Sequence, residues 1–195
     1  MQSSRIAQWF KPLAQRLRAF SRDGASDIRG VSAIEFALIL PVMMTLLFAG
    51  AETTTGLQIQ RKVTNTARAL SDLSSQQATM SNAERDNILN AAADVLAPFA
   101  FANAKIIVTG IQIDILGVAR VEWSEARNTT AYAKGKIMSV PLDLKPLIGT
   151  TRFLVFAEVK YNYVPAVAYL ISGSINIADQ LYTFPRVGDT VTRTP

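Results

Sequence analysis

A long apolar run near the N-terminus constrains the fold of this chain more than any other feature. Residues 36–51 (FALILPVMMTLLFAGA) carry no charge, and Glu35 is the only charged residue in the stretch 31–51. A helix over that stretch is roughly 31 Å long, about the thickness of the hydrocarbon layer of a membrane. The run therefore predicts a transmembrane helix over residues 31–52. The alternative is a helix buried in the core of a soluble protein.

The basic charge of the chain lies mostly ahead of this run. The formal net charge is +5, and residues 1–30 hold six basic and two acidic side chains, which account for +4 of it. Because positively charged flanks stay in the cytoplasm, residues 1–30 are predicted to form a basic cytoplasmic leader. The chain after residue 52 is then extracytoplasmic. A charge excess confined to the leader also argues against nucleic acid as a partner.

The chain has no cysteine and no histidine. It therefore lacks disulfides, thiol nucleophiles, the commonest general base and the commonest transition-metal ligands. No catalytic group of residues stands out among the remaining side chains. We expect no enzyme activity, no catalytic residue, no metal site and no cofactor.

Two helical patterns occupy residues 53–97. The stretch 56–75 continues the helix with a stripe of apolar residues at steps of three and four, which is typical of a helix with one buried face. The residues of this stripe are Ile59, Val63, Ala67 and Leu70. A second helix is predicted by a capping box, in which Ser81 is followed three residues later by Glu84.

The chain becomes β-rich over residues 98–195. Residues 105–115 and 118–123 are strand-like and are separated by Leu116-Gly117, which predicts a hairpin. Residues 153–163 alternate between apolar and polar side chains, so one face of that strand should be buried. The expected fold class is α+β: a long N-terminal transmembrane helix, a helical segment and a small antiparallel β-sheet.

The most specific pattern lies where the leader meets the apolar run, in the sequence GVSAIEF (residues 30–36). A glycine follows the basic leader, four small or apolar residues come next, and a glutamate and a phenylalanine open the run. A carboxylate inside the hydrocarbon edge costs about 2.5–3.5 kcal/mol, so Glu35 is expected to have a partner. In a simpler interpretation, Glu35 reaches the membrane surface and Gly30 only begins the helix.

This pattern resembles the prepilin peptidase site of type IV pilins and pseudopilins. The longer stretch 29–52 resembles the start of the TadE-like family of tight-adherence (Flp-type) pilus proteins. The residues that lie where the family pattern has them are Phe36, Pro41, Gly50 and Glu52. Beyond residue 52 the resemblance is weak.

The resemblance implies a dedicated prepilin peptidase as a partner and cleavage between Gly30 and Val31. The new amine of Val31 would lie one helical turn from Glu35, roughly 6 Å along the helix axis, in the same chain or a neighbouring subunit. In the family this pairing sets the register of assembly, which makes Glu35 and Phe36 the predicted assembly and recognition residues. Because membrane helices accept proline with a kink, a kink is predicted at Pro41.

The resulting expectation is a pilin-like fold and a minor pilin or pseudopilin of a tight-adherence (type IVb) pilus or secretion system. It would cross the bacterial inner membrane once, with a periplasmic C-terminal domain, and would contact other pilins and pilus assembly proteins. Two alternatives remain open. One is an uncleaved single-pass anchor. The other is a soluble periplasmic binding module, released by a signal peptidase after Ala51 at the A-x-A-like sequence 49–51.

Overall fold

The structure of the chain is a computed structural model, and it describes residues 28–147, 149–165 and 173–194. The predicted leader therefore lies outside the described residues except for its last three positions. The chain divides into two compact units, Met1–Ala51 and Glu52–Pro195. One helix, α1, runs from Ile28 to Ser75 and contributes to both units.

The first unit, as far as it is described, is the apolar part of α1. Leucine, methionine and alanine dominate this part and favour the helix, and Pro41 lies inside it. Proline has no backbone N–H to donate, so the helix lacks one hydrogen bond at this position. One turn later the Thr45 hydroxyl donates to the Pro41 carbonyl at 2.8 Å. The kink predicted at Pro41 stays a prediction.

The two predicted helical patterns are confirmed in the second unit. The stripe of α1 is buried, and its four side chains are each 0–1% exposed. Helix α2 spans Asn82–Leu96, and the capping box is formed in both directions. The Ser81 hydroxyl accepts from the Glu84 N–H, while the Glu84 carboxylate accepts from the Ser81 N–H. Those two hydrogen bonds lower the pKa of Glu84.

A four-stranded antiparallel sheet packs against the buried faces of these helices, in the order β3-β2-β4-β5. The α+β class is thereby confirmed. The predicted hairpin joins β2 to β3, and Gly117 has a positive φ of 76° in its turn. A separate two-stranded parallel pair joins β1 to β6. The strands are β1 Thr79–Met80, β2 Ala104–Ile113, β3 Ala119–Arg127, β4 Arg152–Tyr163, β5 Ile175–Thr183 and β6 Thr192–Arg193, with short 3₁₀ turns at Phe101–Asn103 and Leu142–Leu144.

Strand β4 differs from its prediction in how much of it is buried. The predicted face is buried, but the side chains of Leu154, Phe156 and Glu158 on the opposite face are buried as well. A second apolar cluster covers Leu154 and Phe156, because the connection between β3 and β4 folds back over the sheet and contributes Val140 and Met138. A strand buried on both faces loses the alternation of burial that its sequence indicated.

The C-terminal segment ties β3 to the helical side of the domain. The indole Nε1 of Trp123 donates to the carbonyl of Val191 at 2.6 Å, and Val191 is fully buried. The guanidinium of Arg193 forms an ion pair with Glu125 at 2.7 Å and donates to the Met80 carbonyl at 3.1 Å. Strand β3, strand β1 and the chain terminus are therefore held together by buried or half-buried polar contacts.

Candidate functional site

The predicted processing residues lie at the start of α1 as the structure describes it. Gly30 is exposed, and a Cβ added there would meet no atom within 4 Å. Val31 and Phe36 are 56% and 62% exposed, and Glu35 is also exposed. Val31 and Glu35 are four positions apart on a helix, so their side chains share one face. Cleavage after Gly30 and the pairing of Glu35 with the Val31 amine stay predictions.

The apolar part of α1 is exposed in the part of the chain that the structure describes. From residue 30 to residue 51 every side chain is exposed, and the segment is long and apolar enough to cross a membrane. Soluble monomers rarely leave a contiguous apolar surface of this size in water. Exposure of this segment among the described residues is consistent with membrane anchoring and does not fit a helix buried in a soluble core. Within residues 30–51, the most exposed large side chains are those of Leu38, Leu46, Leu47, Ile34 and Phe36.

Sequence reasoning missed a contact at the residue that follows the apolar run. The Tyr163 hydroxyl, at the end of β4, donates to the Glu52 carboxylate. Burial, together with the hydrogen bond to Glu52 and its negative charge, raises the pKa of Tyr163 to about 12. Glu52 belongs to the family pattern, but its partner lies 111 residues away in sequence, and no local signal connects the two.

We expect the Glu52–Tyr163 contact to make the domain sensitive to alkali. The folded state favours the neutral phenol of Tyr163. The contribution of this phenol to the free energy of unfolding is therefore complete below pH 10, the ordinary pKa of tyrosine, and is lost as pH rises from 10 to about 12. Tyr163→Phe should cost about 1 kcal/mol at pH 8, the net value of one hydrogen bond. The free energy lost on this substitution should become smaller as the pH approaches 12.

The measurement is chemical unfolding of the full chain in detergent, followed by Trp123 fluorescence in a Trp9→Phe background. Burial also raises the pKa of Tyr132, to about 12, with added contributions from its hydrogen bond to Glu158 and from that carboxylate's charge. Only the difference in the free energy of unfolding between Tyr163→Phe and its parent therefore reports on Tyr163. If this difference stays constant from pH 8 to pH 12, the raised pKa of Tyr163 is contradicted.

The second half of α1 is fixed to the domain by side-chain hydrogen bonds as well as by its apolar stripe. The Thr64 hydroxyl donates to Asp179 at 2.5 Å, and the Ser71 hydroxyl donates to the Thr183 hydroxyl at 2.6 Å; both partners are on β5. Lys62 donates to the Val95 carbonyl of α2 at 3.0 Å. These hydrogen bonds join the second half of α1 to both α2 and β5.

A buried carboxylate in the sheet has a structural role. Glu158 is 8% exposed, and its two oxygens face the Tyr132 hydroxyl at 2.9 Å and the Lys160 ammonium at 2.5 Å. A buried charge that is paired and hydrogen-bonded needs no reacting partner. Among the residues that the structure describes, no group of three or more acidic side chains is placed to hold a metal ion.

Together, these features define a class of protein. An exposed apolar helix near the N-terminus continues as one helix into a small α+β domain, which is the order of elements that the pilin resemblance implied. Residues 30–71 match the model of the family described as TadE-like protein, so the predicted resemblance is confirmed over that segment. The match suggests a pilin-like protein associated with the tight-adherence (Tad) pilus. No curated protein and no solved structure matches the chain.

The matched segment is longer than the stretch that carried the resemblance in sequence. It begins at Gly30 and continues past residue 52 to Ser71, so it includes the buried stripe of α1. The match therefore covers both the exposed apolar residues 30–51 and the stripe of α1 that packs on the sheet.

Proposed function

We propose that this chain is a minor pilin or pseudopilin of a tight-adherence pilus system. It inserts into the inner membrane with its N-terminus in the cytoplasm, loses residues 1–30 to a prepilin peptidase, and acts through packing with other pilins and assembly proteins. It has no catalytic role. The observation that carries the proposal is the wholly exposed apolar helix that begins with Gly30 and Glu35 in register, within a segment that matches the TadE-like family.

The charge pattern of the exposed helix supports an assembly role. Before cleavage, Glu35 is the single acid in a surface that otherwise suits hydrocarbon. Cleavage after Gly30 creates a positive amine one turn away, so the pair becomes neutral as a whole. If the amine of one subunit faces Glu35 of the next, the attraction operates in a low dielectric and favours one axial register over others.

N-terminal sequencing of the protein purified from its native membrane tests the proposal. We expect Val31 as the first residue, and a protein that requires detergent for extraction. An N-terminus at Met1 would indicate the uncleaved anchor, and one at Glu52 would indicate the released module. Either result overturns the processing step. A chain that stays soluble without detergent while retaining all 195 residues would overturn the whole proposal.

Glu35→Gln should separate assembly from processing. It keeps the shape of the side chain but removes the charge, which leaves the Val31 amine without its partner in an apolar contact. Breaking one partner of a buried ion pair is strongly destabilising, so we expect at least about a tenfold fall in the protein recovered with sheared pili. The N-terminus should remain Val31.

Thr45→Val is the matched control, because it also removes a polar group from the exposed apolar helix while preserving shape. Its recovery with pili should equal that of the parent chain. Equal recovery of Glu35→Gln and the parent would contradict the pairing of Glu35 with the amine.

A further inference from the structure

We propose that the domain docks side by side on a second copy of this chain, with the basic outer face of α1 in one copy against the acidic outer face of α2 in the next. The proposal rests on the assembly role proposed above and deepens it, because it names one partner and the two surfaces that meet. Both surfaces belong to the second unit, Glu52–Pro195.

The basic face of α1 lines a groove of about 500 Å³. Arg61, Asn65 and Arg68 follow one another at steps of four and three, so they stand on successive turns of one helix face. All three are exposed, and none of the described residues that line the groove is acidic. The Asp179 carboxylate lies beside the groove, where it accepts hydrogen bonds from the Thr64 hydroxyl at 2.5 Å and from a backbone N–H at 2.8 Å. Among the ion pairs of the described residues, none involves either arginine.

The acidic face of α2 repeats this arrangement with the opposite charge. Asp86, Asn90 and Asp94 follow one another at steps of four, again on successive turns, and all three are exposed. Among the exposed residues of α2, none is basic. The half-buried Arg85 forms an ion pair with Asp86 at 3.0 Å, but no ion pair of the described residues involves Asp94. Each face thus presents two like charges with an amide between them.

The two rows of side chains match in length. The charged residues are seven positions apart on α1 and eight positions apart on α2, which corresponds to about 10.5 Å and 12 Å along the helix axis. Long arginine side chains can cover this difference when two helices pack at the usual distance of about 8–10 Å. The two amides then face each other, and each can both donate and accept a hydrogen bond. Complementary charge therefore determines which faces meet and in which register.

The two faces lie on opposite sides of one domain. On α1, Thr64 and Ser71 donate to side chains of β5. On α2, Arg85 forms an ion pair with Glu125 of β3 at 3.7 Å. Strands β5 and β3 are the two outer strands of the sheet, so one copy cannot bring its own two faces together. A contact between different surfaces of identical chains is heterologous, and it repeats from copy to copy as a ring or a filament.

A second copy explains both faces at once. The chain itself supplies an exposed acidic row of the required spacing, so no other acidic partner is needed. Inorganic phosphate or a polyanion would neutralise the arginines but would leave the acidic face of α2 unexplained. Exposed ion pairs are individually weak, but complementary pairs fix the orientation of two surfaces even where they add little affinity.

Disulfide cross-linking in membranes of the native host tests the contact, because the chain has no cysteine of its own. Two differently tagged copies of the whole chain are expressed together, one with Asn65→Cys and the other with Asn90→Cys. Two cysteines form a disulfide only when their Cα atoms lie within about 7 Å of each other. We expect a linked pair that carries both tags, at least about tenfold more abundant than the pair formed when both copies carry the same cysteine.

Charge reversal separates this contact from chance collision. Arg61→Glu and Arg68→Glu together in the first copy should lower the yield of the mixed pair at least about tenfold, because like charges then face each other. Adding Asp86→Lys and Asp94→Lys to the other copy should restore the yield to at least about half of its original value, since the charges are again complementary. Misfolded variants would not show this recovery.

Lys105→Glu with Lys134→Glu is the matched control, because it changes the net charge by the same amount on exposed side chains outside both faces. Its yield of the mixed pair should equal that of the parent. An equal yield from two copies of Asn65→Cys, or a mixed pair that ignores the charge reversals, would overturn the contact. Absence of the mixed pair in chains that begin at Val31 would overturn the contact and leave the proposed function intact. Cross-linked chains that begin at Met1 would instead overturn the processing step, so the two failures are distinguishable.

Discussion

Gly30→Val should leave the leader attached to nearly all of the protein. Valine puts a branched Cβ beside the carbonyl that the peptidase must attack, whereas glycine leaves that carbonyl unhindered. We expect the rate of processing to fall more than about tenfold, which corresponds to only about 1.4 kcal/mol in the barrier. The measurement is the ratio of chains beginning at Met1 to chains beginning at Val31, by intact-mass spectrometry of the membrane fraction.

The structure makes this substitution informative because it has no effect on packing. Beyond its own helix, a Cβ at residue 30 meets no atom of the described residues within 4 Å, so the variant should fold as the parent does. Gly56→Val is the matched control, since Gly56 lies in the same helix and its Cβ also meets nothing. It makes the same change in helix propensity, glycine to valine, and should be processed normally. Normal processing of Gly30→Val would exclude residue 30 as the cleavage site.

Gly110→Ala should destabilise the domain by about 3 kcal/mol, the upper part of the range for overpacking a core. The added Cβ would lie 2.4 Å from Trp123 Nε1 and 2.6 Å from Phe153 Cζ. Both rings are nearly buried, at 6% and 4% exposed, so neither can turn into solvent. Moving the indole also weakens its 2.6 Å hydrogen bond to Val191, which anchors the C-terminal segment.

Chemical unfolding in detergent, followed by Trp123 fluorescence, measures this effect. Gly56→Ala is the control for replacing glycine by alanine without a clash. It should raise the free energy of unfolding by about 0.5–1 kcal/mol, because alanine is the better helix former. An unchanged free energy for Gly110→Ala would mean that the sheet can open around the indole, and would contradict the tight packing of β2 against β3.

Local patterns predicted the helices and most strands correctly. The apolar stripe of α1 and the capping box at Ser81 depend on spacings of three and four residues, which the helix itself imposes. The hairpin depends on the short turn at Leu116-Gly117. In each of these elements the interacting residues lie only a few positions apart, so a short stretch of sequence is enough to predict the interaction.

Contacts between distant segments were not predictable in this way. The alternation in β4 indicates one buried face, yet the connection between β3 and β4 buries the other as well, through Val140 and Met138. The Trp123–Val191 bond joins residues 68 positions apart. Such contacts depend on how loops close and which surfaces meet, and neither is encoded in a short pattern.

The sequence alone thus determined that an apolar helix long enough for a membrane follows a basic segment, with a glycine and a glutamate at its start. These features are local, since charge, hydropathy and helical spacing require no knowledge of the rest of the chain. Only the tertiary structure decided that residues 30–51 are exposed among the described residues, that the Tyr163 hydroxyl is bonded to Glu52, and that Trp123 is bonded to the Val191 carbonyl. Those facts arise from the pairing of strands and the packing of the sheet on the helix, which bring together residues that are far apart in sequence.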